Sequence, residues 1–177
     1  MVAKKDLTLA LVAHDNMKKD LAEWVEWNWE ALLQCHLVCT GTTGKMVEKT
    51  LMERRGNSIE GKTNITLLKS GPLGGDQMLG SMIAQEQIDA MFFFWDPMEA
   101  QPHDVDVKAL LRVATLYNVP TAFNRSTADY IISSPLFGSP DYTPEVKDYS
   151  NYIKRSWDGA ERAKTSEWRK RSRKSRK

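Results

Sequence analysis

The segment Ser70-Gly-Pro-Leu-Gly-Gly-Asp76-Gln77 joins glycines that let a ligand approach the main chain to a carboxylate at the mouth of an expected helix. An apolar run, Ile65, Leu67 and Leu68, leads into it like a buried strand, and Met78, Leu79, Met82 and Ile83 follow at helical spacing. A strand, loop and helix in this order turn free N–H groups and the positive end of a helix dipole toward an anion. The same glycines would serve a tight turn without any ligand, so the motif does not decide its own use.

A second cradle has similar chemistry. Thr40-Gly-Thr-Thr-Gly44 offers three hydroxyls and two glycines at a helix N-terminus, which suits an array of phosphate oxygens. No Gly-Lys-Ser/Thr ends it and no Gly-x-Gly-x-x-Gly occurs anywhere, so a nucleoside triphosphate is not expected. Thr42 or Thr43 would alternatively cap the helix. Lys18, one turn beyond His14-Asp15, would reach such a pocket as a point charge, although a lysine on a helix is more often simply exposed. His103-Asp-Val-Asp106 sets an imidazole and a carboxylate three residues apart at a helix entry, where they would meet on one face and fix a tautomer; an N-cap pattern is the alternative. His14, Asp15, Asp76, Asp96 and Asp106 also form an adequate ligand set for a divalent metal, but no His-x-x-x-His or Cys-x-x-Cys spacing is present, and acid/base chemistry needs fewer coincidences.

These residues lie far apart in sequence and need a frame to bring them together. Apolar runs predict strands at 7–13, 36–40, 65–68, 91–95 and 121–123. Amphipathic stretches predict helices at about 17–33, 43–55, 76–87, 105–117 and 127–133. Five near-continuous apolar strands alternating with helices predict an α/β domain with a mainly parallel sheet covered on both faces. Residues 56–63 read as an exposed polar loop, and 138–147, with two prolines, as a crossing segment before a last helix. In open sheets of this kind ligands bind beyond the carboxyl ends of the strands. The reactive residues fall at those ends: His14-Asp15 after the first strand, Thr40 to Gly44 after the second, Ser70 to Asp76 after the third, and Asp96 with His103 to Asp106 after the fourth. The clustering locates one site before it says what the site does.

Composition excludes several classes. At 177 residues and 41% hydrophobic, the chain suits one α/β domain and is too short for two ordinary ones. Its longest unbroken apolar stretch, Ala90 to Trp95, is far too short to span a bilayer. The polar start, Met1 to Asp6, and the lack of a cleavage-like pattern predict a cytoplasmic protein. Cys35 and Cys39, without histidine company, read as reduced and buried. Residues 161–177 hold nine Lys/Arg against two Asp/Glu, a charge of +7 that leaves −5 on residues 1–160. The chain therefore divides into a folded body, 1–160, and a basic tail, 161–177, which cannot bury enough apolar surface to order itself. A solvated extension is favoured over nucleic-acid binding by that tail, since the strands carry no interleaved basic and aromatic residues. Of the six tryptophans, Trp24 is expected to face the core, and Trp27 or Trp29 to lie at a subunit contact.

Leu11-Val-Ala-His-Asp15, Thr40-Gly-Thr-Thr-Gly44, Ser70-Gly-Pro-Leu-Gly-Gly-Asp-Gln77, Phe93-Phe-Trp-Asp-Pro97 and Pro102-His-Asp-Val-Asp-Val-Lys-Ala-Leu-Leu-Arg112, in this order, resemble the methylglyoxal synthase family. The likeness runs from about residue 7 to residue 137. It implies a single Rossmann-like domain in a homohexamer, and a lyase free of metal and cofactor that converts dihydroxyacetone phosphate to methylglyoxal and inorganic phosphate. By resemblance, Asp76 is the base that takes a proton from the substrate carbon. His103 polarises the carbonyl and relays protons on the enediolate oxygens, with Asp106 as a supporting carboxylate. His14 and Asp15 line the pocket, Asp96 helps to hold the catalytic groups, and Lys18, Thr40, Thr42, Thr43, Ser70 and Gly71 match the phosphate-binding set. The family also uses an arginine near the C-terminus, supplied by a neighbouring subunit; here Ser156 falls at that place and Arg155 one residue earlier. The same fold serves elsewhere as a non-catalytic effector-binding module, which would keep the phosphate loop and lose the acid/base set.

Overall fold

Five short strands, all parallel, carry the fold in the computed structural model, which describes residues 6–55, 63–152 and 154. β1 (Thr8–Ala13) lies between β2 (His36–Thr40) and β4 (Ala90–Phe94). β3 (Ile65–Leu68) flanks β2 and β5 (Thr121–Ala122) flanks β4, giving the order β3-β2-β1-β4-β5. Parallel strands need crossovers, and the helices supply them.

Alternation along the strands divides the core in two. Leu9, Leu11, Leu37, Cys39, Phe92 and Phe94 form one cluster with residues of α1 (Lys18–Trp27), α2 (Trp29–Leu32), α3 (Gly41–Arg55) and α6 (Arg125–Ser133). Ala10, Val12, Val38, Met91 and Phe93 form the other with α4 (Gly75–Ala84) and α5 (Asp104–Leu116), through Leu79, Ile83, Val107, Leu110 and Ala114. Helices thus cover both faces, as near-continuous apolar strands require. Trp24 is buried against Phe92, with ring centroids 4.9 Å apart, and its indole N–H donates to Asp129 Oδ1 at 2.9 Å. The polar tip of a buried tryptophan is thereby satisfied, and α1 is tied to α6. Trp27 is exposed and Trp29 half-buried.

Several boundaries differ from expectation. The helix expected over 17–33 breaks at Asn28, whose Nδ2 donates to the Trp24 carbonyl at 2.9 Å beside its own backbone N–H at 3.1 Å. α3 starts two residues early, at Gly41, and Trp95 falls outside β4 because the ladder to β1 ends at the Ala13–Phe94 pair. The expected loop at 56–63 lies almost wholly outside the described residues, as do Arg155 and the tail. One compact unit ends at Glu145 and a second begins at Val146. In the second, Asp148 accepts the backbone N–H of Ser150 at 2.8 Å and its hydroxyl at 2.9 Å, which holds the carboxyl below the usual range. Among the described residues no helix is long and apolar enough to cross a membrane.

The chain runs from β1 outward through β2 to β3, then returns to β4 on the other side of β1. The reversal opens a crevice beyond the carboxyl ends of β1 and β4, the place where open α/β sheets bind ligands.

Candidate active site

Four strand-end loops meet over that crevice around a cavity of about 220 Å³, lined by His14, Asp15, Lys18, Thr40, Thr42, Thr43, Ser70, Gly71, Asp76 and His103 among others. A larger, mainly apolar cavity of about 290 Å³ lies at the opposite ends of the strands, against Leu7, Ala90 and Pro120. Its lining holds hydroxyls but no lysine or histidine, so size does not identify the site.

One side of the cavity is built from the β2 and β3 loops. Gly41 has φ +39°, and a Cβ there would lie 2.8 Å from both the Cα and the Cβ of Ser70. Only glycine permits that approach, which fuses the two cradles. The first N–H groups of α3 have no partner within the helix and are available to an anion. Lys18 Nζ donates to Asp15 Oδ1 and to Thr42 Oγ1, which holds the ammonium at this rim and keeps the Asp15 carboxyl below its ordinary range. Thr43 is buried and donates its hydroxyl to the Ala13 carbonyl at 3.5 Å, pinning α3 to the end of β1. Neither threonine hydroxyl is seen accepting a backbone N–H, so neither caps the helix.

The other side comes from the starts of α4 and α5. Asp76, in the first turn of α4, is 3% exposed, and burial raises its pKa; nearby Asp106 pushes the same way and His103 opposes it. Its Oδ2 has no hydrogen-bond partner and lies 3.6 Å from His103 Nε2, too far for a hydrogen bond and close enough to pass a proton through a small ligand. His103 is buried with its Nδ1 also unpartnered. The expected pairing of His103 with Asp106 does not form. His103 is the N-cap of α5 with φ −113° and ψ 22°, so its side chain does not follow the helical i, i+3 geometry. Asp106 is half-buried and acts on the site through its charge on Asp76.

His14 is buried between the two sides, edge-on to Phe93 with ring centroids 5.2 Å apart and to His103 at 5.7 Å. Its Nδ1 accepts the Asp96 backbone N–H at 3.3 Å and its Nε2 is unpartnered. Burial first, then the nearby His103, lowers the His14 pKa, so the ring is neutral near pH 7. Asp96 does not line the cavity. Its carboxylate accepts Asn16 Nδ2 at 2.8 Å and the Met98 N–H at 2.9 Å, and these bonds lower its pKa. Among the described residues no group of three or more His, Cys, Asp or Glu is disposed to hold a metal ion. Gln101 and Phe93 line the cavity and were not foreseen. A neutral amide and one phenylalanine in an aromatic strand give no sequence signal.

Residues 21–123 match the family model described as the MGS-like domain. The chain is 53% identical over 154 residues to a methylglyoxal synthase of Maridesulfovibrio salexigens, covering 83% of this chain and 95% of the relative. It is 50% identical over 155 residues to one of Coxiella burnetii, covering 88% and 99%. The chain belongs to the methylglyoxal synthase family. A crystal structure of methylglyoxal synthase from Elizabethkingia anophelis NUHP1 superposes with a TM-score of 0.72 at 49% identity, over 84% of this chain and 91% of that one. The cavity residues from Thr40 to His103 lie within the matched residues 21–123.

Proposed function

We propose that this chain is a methylglyoxal synthase, a carbon–oxygen lyase that converts dihydroxyacetone phosphate to methylglyoxal and inorganic phosphate. The observation that carries the proposal is the buried, unpartnered Asp76 carboxylate, 3.6 Å from His103, in one cavity with a hydroxyl and N–H cradle. The cradle on β2 and β3 holds the phosphate, with Lys18 as its cation. Asp76 takes a proton from the hydroxymethyl carbon, and its raised pKa makes it a stronger base than a solvated carboxylate. Negative charge moves to the carbonyl oxygen, where His103 and the Nε2–H of His14 are placed to donate.

The enediolate then collapses. Proton transfer between its two oxygens, relayed by His103, leaves the charge on the oxygen of the deprotonated carbon. That oxygen re-forms a carbonyl, the double bond shifts to the adjacent carbon pair, and the C–O bond to phosphate breaks with its electrons. The products are inorganic phosphate and the enol of methylglyoxal, which ketonises by gaining a proton at its methylene carbon and losing the one on its hydroxyl. Holding the phosphate so that the breaking bond stands perpendicular to the enediolate plane makes the cradle part of the catalyst.

The same proposal includes a cytoplasmic homohexamer with Arg155 completing a neighbour's phosphate site, a catalytic body of residues 1–160, and a basic tail, 161–177, for which a solvated extension is favoured over nucleic-acid binding. These rest on the family resemblance and on the tail's composition. The deciding experiment incubates purified protein with dihydroxyacetone phosphate, with and without a chelator, and measures phosphate and methylglyoxal separately. Equal release of both, unaffected by chelator, is expected. Phosphate without methylglyoxal marks a phosphatase, and phosphate binding without turnover marks an effector module.

A further inference from the structure

Outside the cavity, one side chain joins the loops on either side of the crevice. Asn16 uses its Nδ2 on two carboxylates of the β4 loop, donating to Asp96 Oδ2 at 2.8 Å and to Glu99 Oε2 at 2.9 Å. The other Asp96 oxygen accepts the Met98 N–H at 2.9 Å. With both carboxylate oxygens held, the Asp96 main chain keeps its own N–H on His14 Nδ1, 3.3 Å away. A ring nitrogen that accepts a hydrogen bond is unprotonated, so the neutral ring carries its hydrogen on Nε2. That atom is buried and has no partner among the described residues, in a side chain that lines the cavity. The opposite tautomer would set two N–H groups against each other at Asp96 and offer a lone pair where a developing oxyanion needs a donor.

We propose that Asn16 is a positioning residue: by binding the Asp96 and Glu99 carboxylates it ties the β4 loop to the β1 loop, and so holds His14 in the tautomer that donates from Nε2. What the Nε2–H is used for rests on the proposed lyase activity, whereas how it is held does not. The amide nitrogen supplies two hydrogens, one for each carboxylate, without adding a charge. Aspartate at this position would bring a third carboxylate and no hydrogen, and leucine would supply neither charge nor donor.

The test reads the His14 tautomer directly, by long-range 15N–1H correlation of the imidazole in the full-length protein, beside kinetics on dihydroxyacetone phosphate and thermal midpoints. Wild type is expected in the Nε2–H form. Asn16→Leu and Asn16→Asp should both move His14 toward Nδ1–H. Both should lower kcat about tenfold, the fall expected when one ring in ten keeps the competent tautomer. Competition by inorganic phosphate should be unchanged, because its cradle stands on β2 and β3. Asn16→Gln, which keeps the amide, should recover most of the loss, and Glu99→Ala, which leaves the Asp96 bond, should keep the wild-type tautomer. An unchanged His14 tautomer in both Asn16→Leu and Asn16→Asp overturns the proposal, including the case where stability and activity fall together. Wild-type protein inactive on dihydroxyacetone phosphate would refute the lyase activity alone, and the tautomer spectra would still decide the clamp.

Discussion

Gly71 and His103 are so close that a methyl group on the glycine would lie 2.7 Å from His103 Nε2, and it would also lie 2.9 Å from Asp76 Oδ2. The hydrogen on Gly71 therefore sets how near the base and the imidazole can stand. Gly71→Ala is expected to push them apart and to lower kcat/KM about a hundredfold, the loss typical of a 1 Å misplacement. Overpacking should cost about 1–3 kcal/mol of stability. Kinetics and denaturant unfolding of the same preparation check both numbers, and near-normal turnover would mean that this spacing is not critical.

Asp76→Asn is expected to fold and to lose about a hundredfold to ten-thousandfold in kcat, because an amide cannot take the proton. Its stability should move the other way. The folded protein raises the Asp76 pKa above the unfolded value of 3.8, chiefly by burial, so the charged form is penalised once pH exceeds that value. The variant should melt above wild type near neutral pH, and the gap should close as pH falls below the unfolded value. Calorimetry at several pH values reads the sign directly.

Lys18→Met keeps most of the side-chain volume and removes the cation held between Asp15 and Thr42. A charge-assisted hydrogen bond contributes about 1.5–3 kcal/mol, so inhibition by inorganic phosphate should weaken roughly tenfold to a hundredfold. Unchanged inhibition would place the phosphate elsewhere in the cavity.

Cys39 lies in the core on β2, where burial pushes the thiol up to about 12. It should stay unmodified by a thiol-selective disulfide reagent at pH 8 in the native protein and react at once after unfolding. Labelling of Cys39 in the folded state, located by mass spectrometry of peptides, would show that β2 opens.

Truncation after Ala160 removes seventeen residues that carry +7 and little apolar surface. Phosphate affinity and sedimentation mass should be unchanged, whereas removal from Tyr152 onward takes Arg155 as well and should weaken phosphate binding. A loss of assembly after the shorter truncation would make the tail structural.

The sequence by itself determined the strands, the two covered faces and the end of the sheet at which the polar cavity lies. Those depend on local apolar alternation and on where polar residues follow a strand, and both are written in consecutive residues. That Asp76, His103, Lys18 and the threonines at 40, 42 and 43 share that end was legible for the same reason. Tertiary structure decided the partnerships. His103 faces Asp76 from another helix and not Asp106 three residues on, because an N-cap residue lies outside helical geometry. Asn16, 80 residues from Asp96, and Gln101 are neutral amides of a kind common on any surface, and only the crossing from β3 back to β4 beside β1 brings them to the crevice. Hydrogen bonds act over about 3 Å, so residues distant in the chain acquire a role only when packing of the sheet sets their separation.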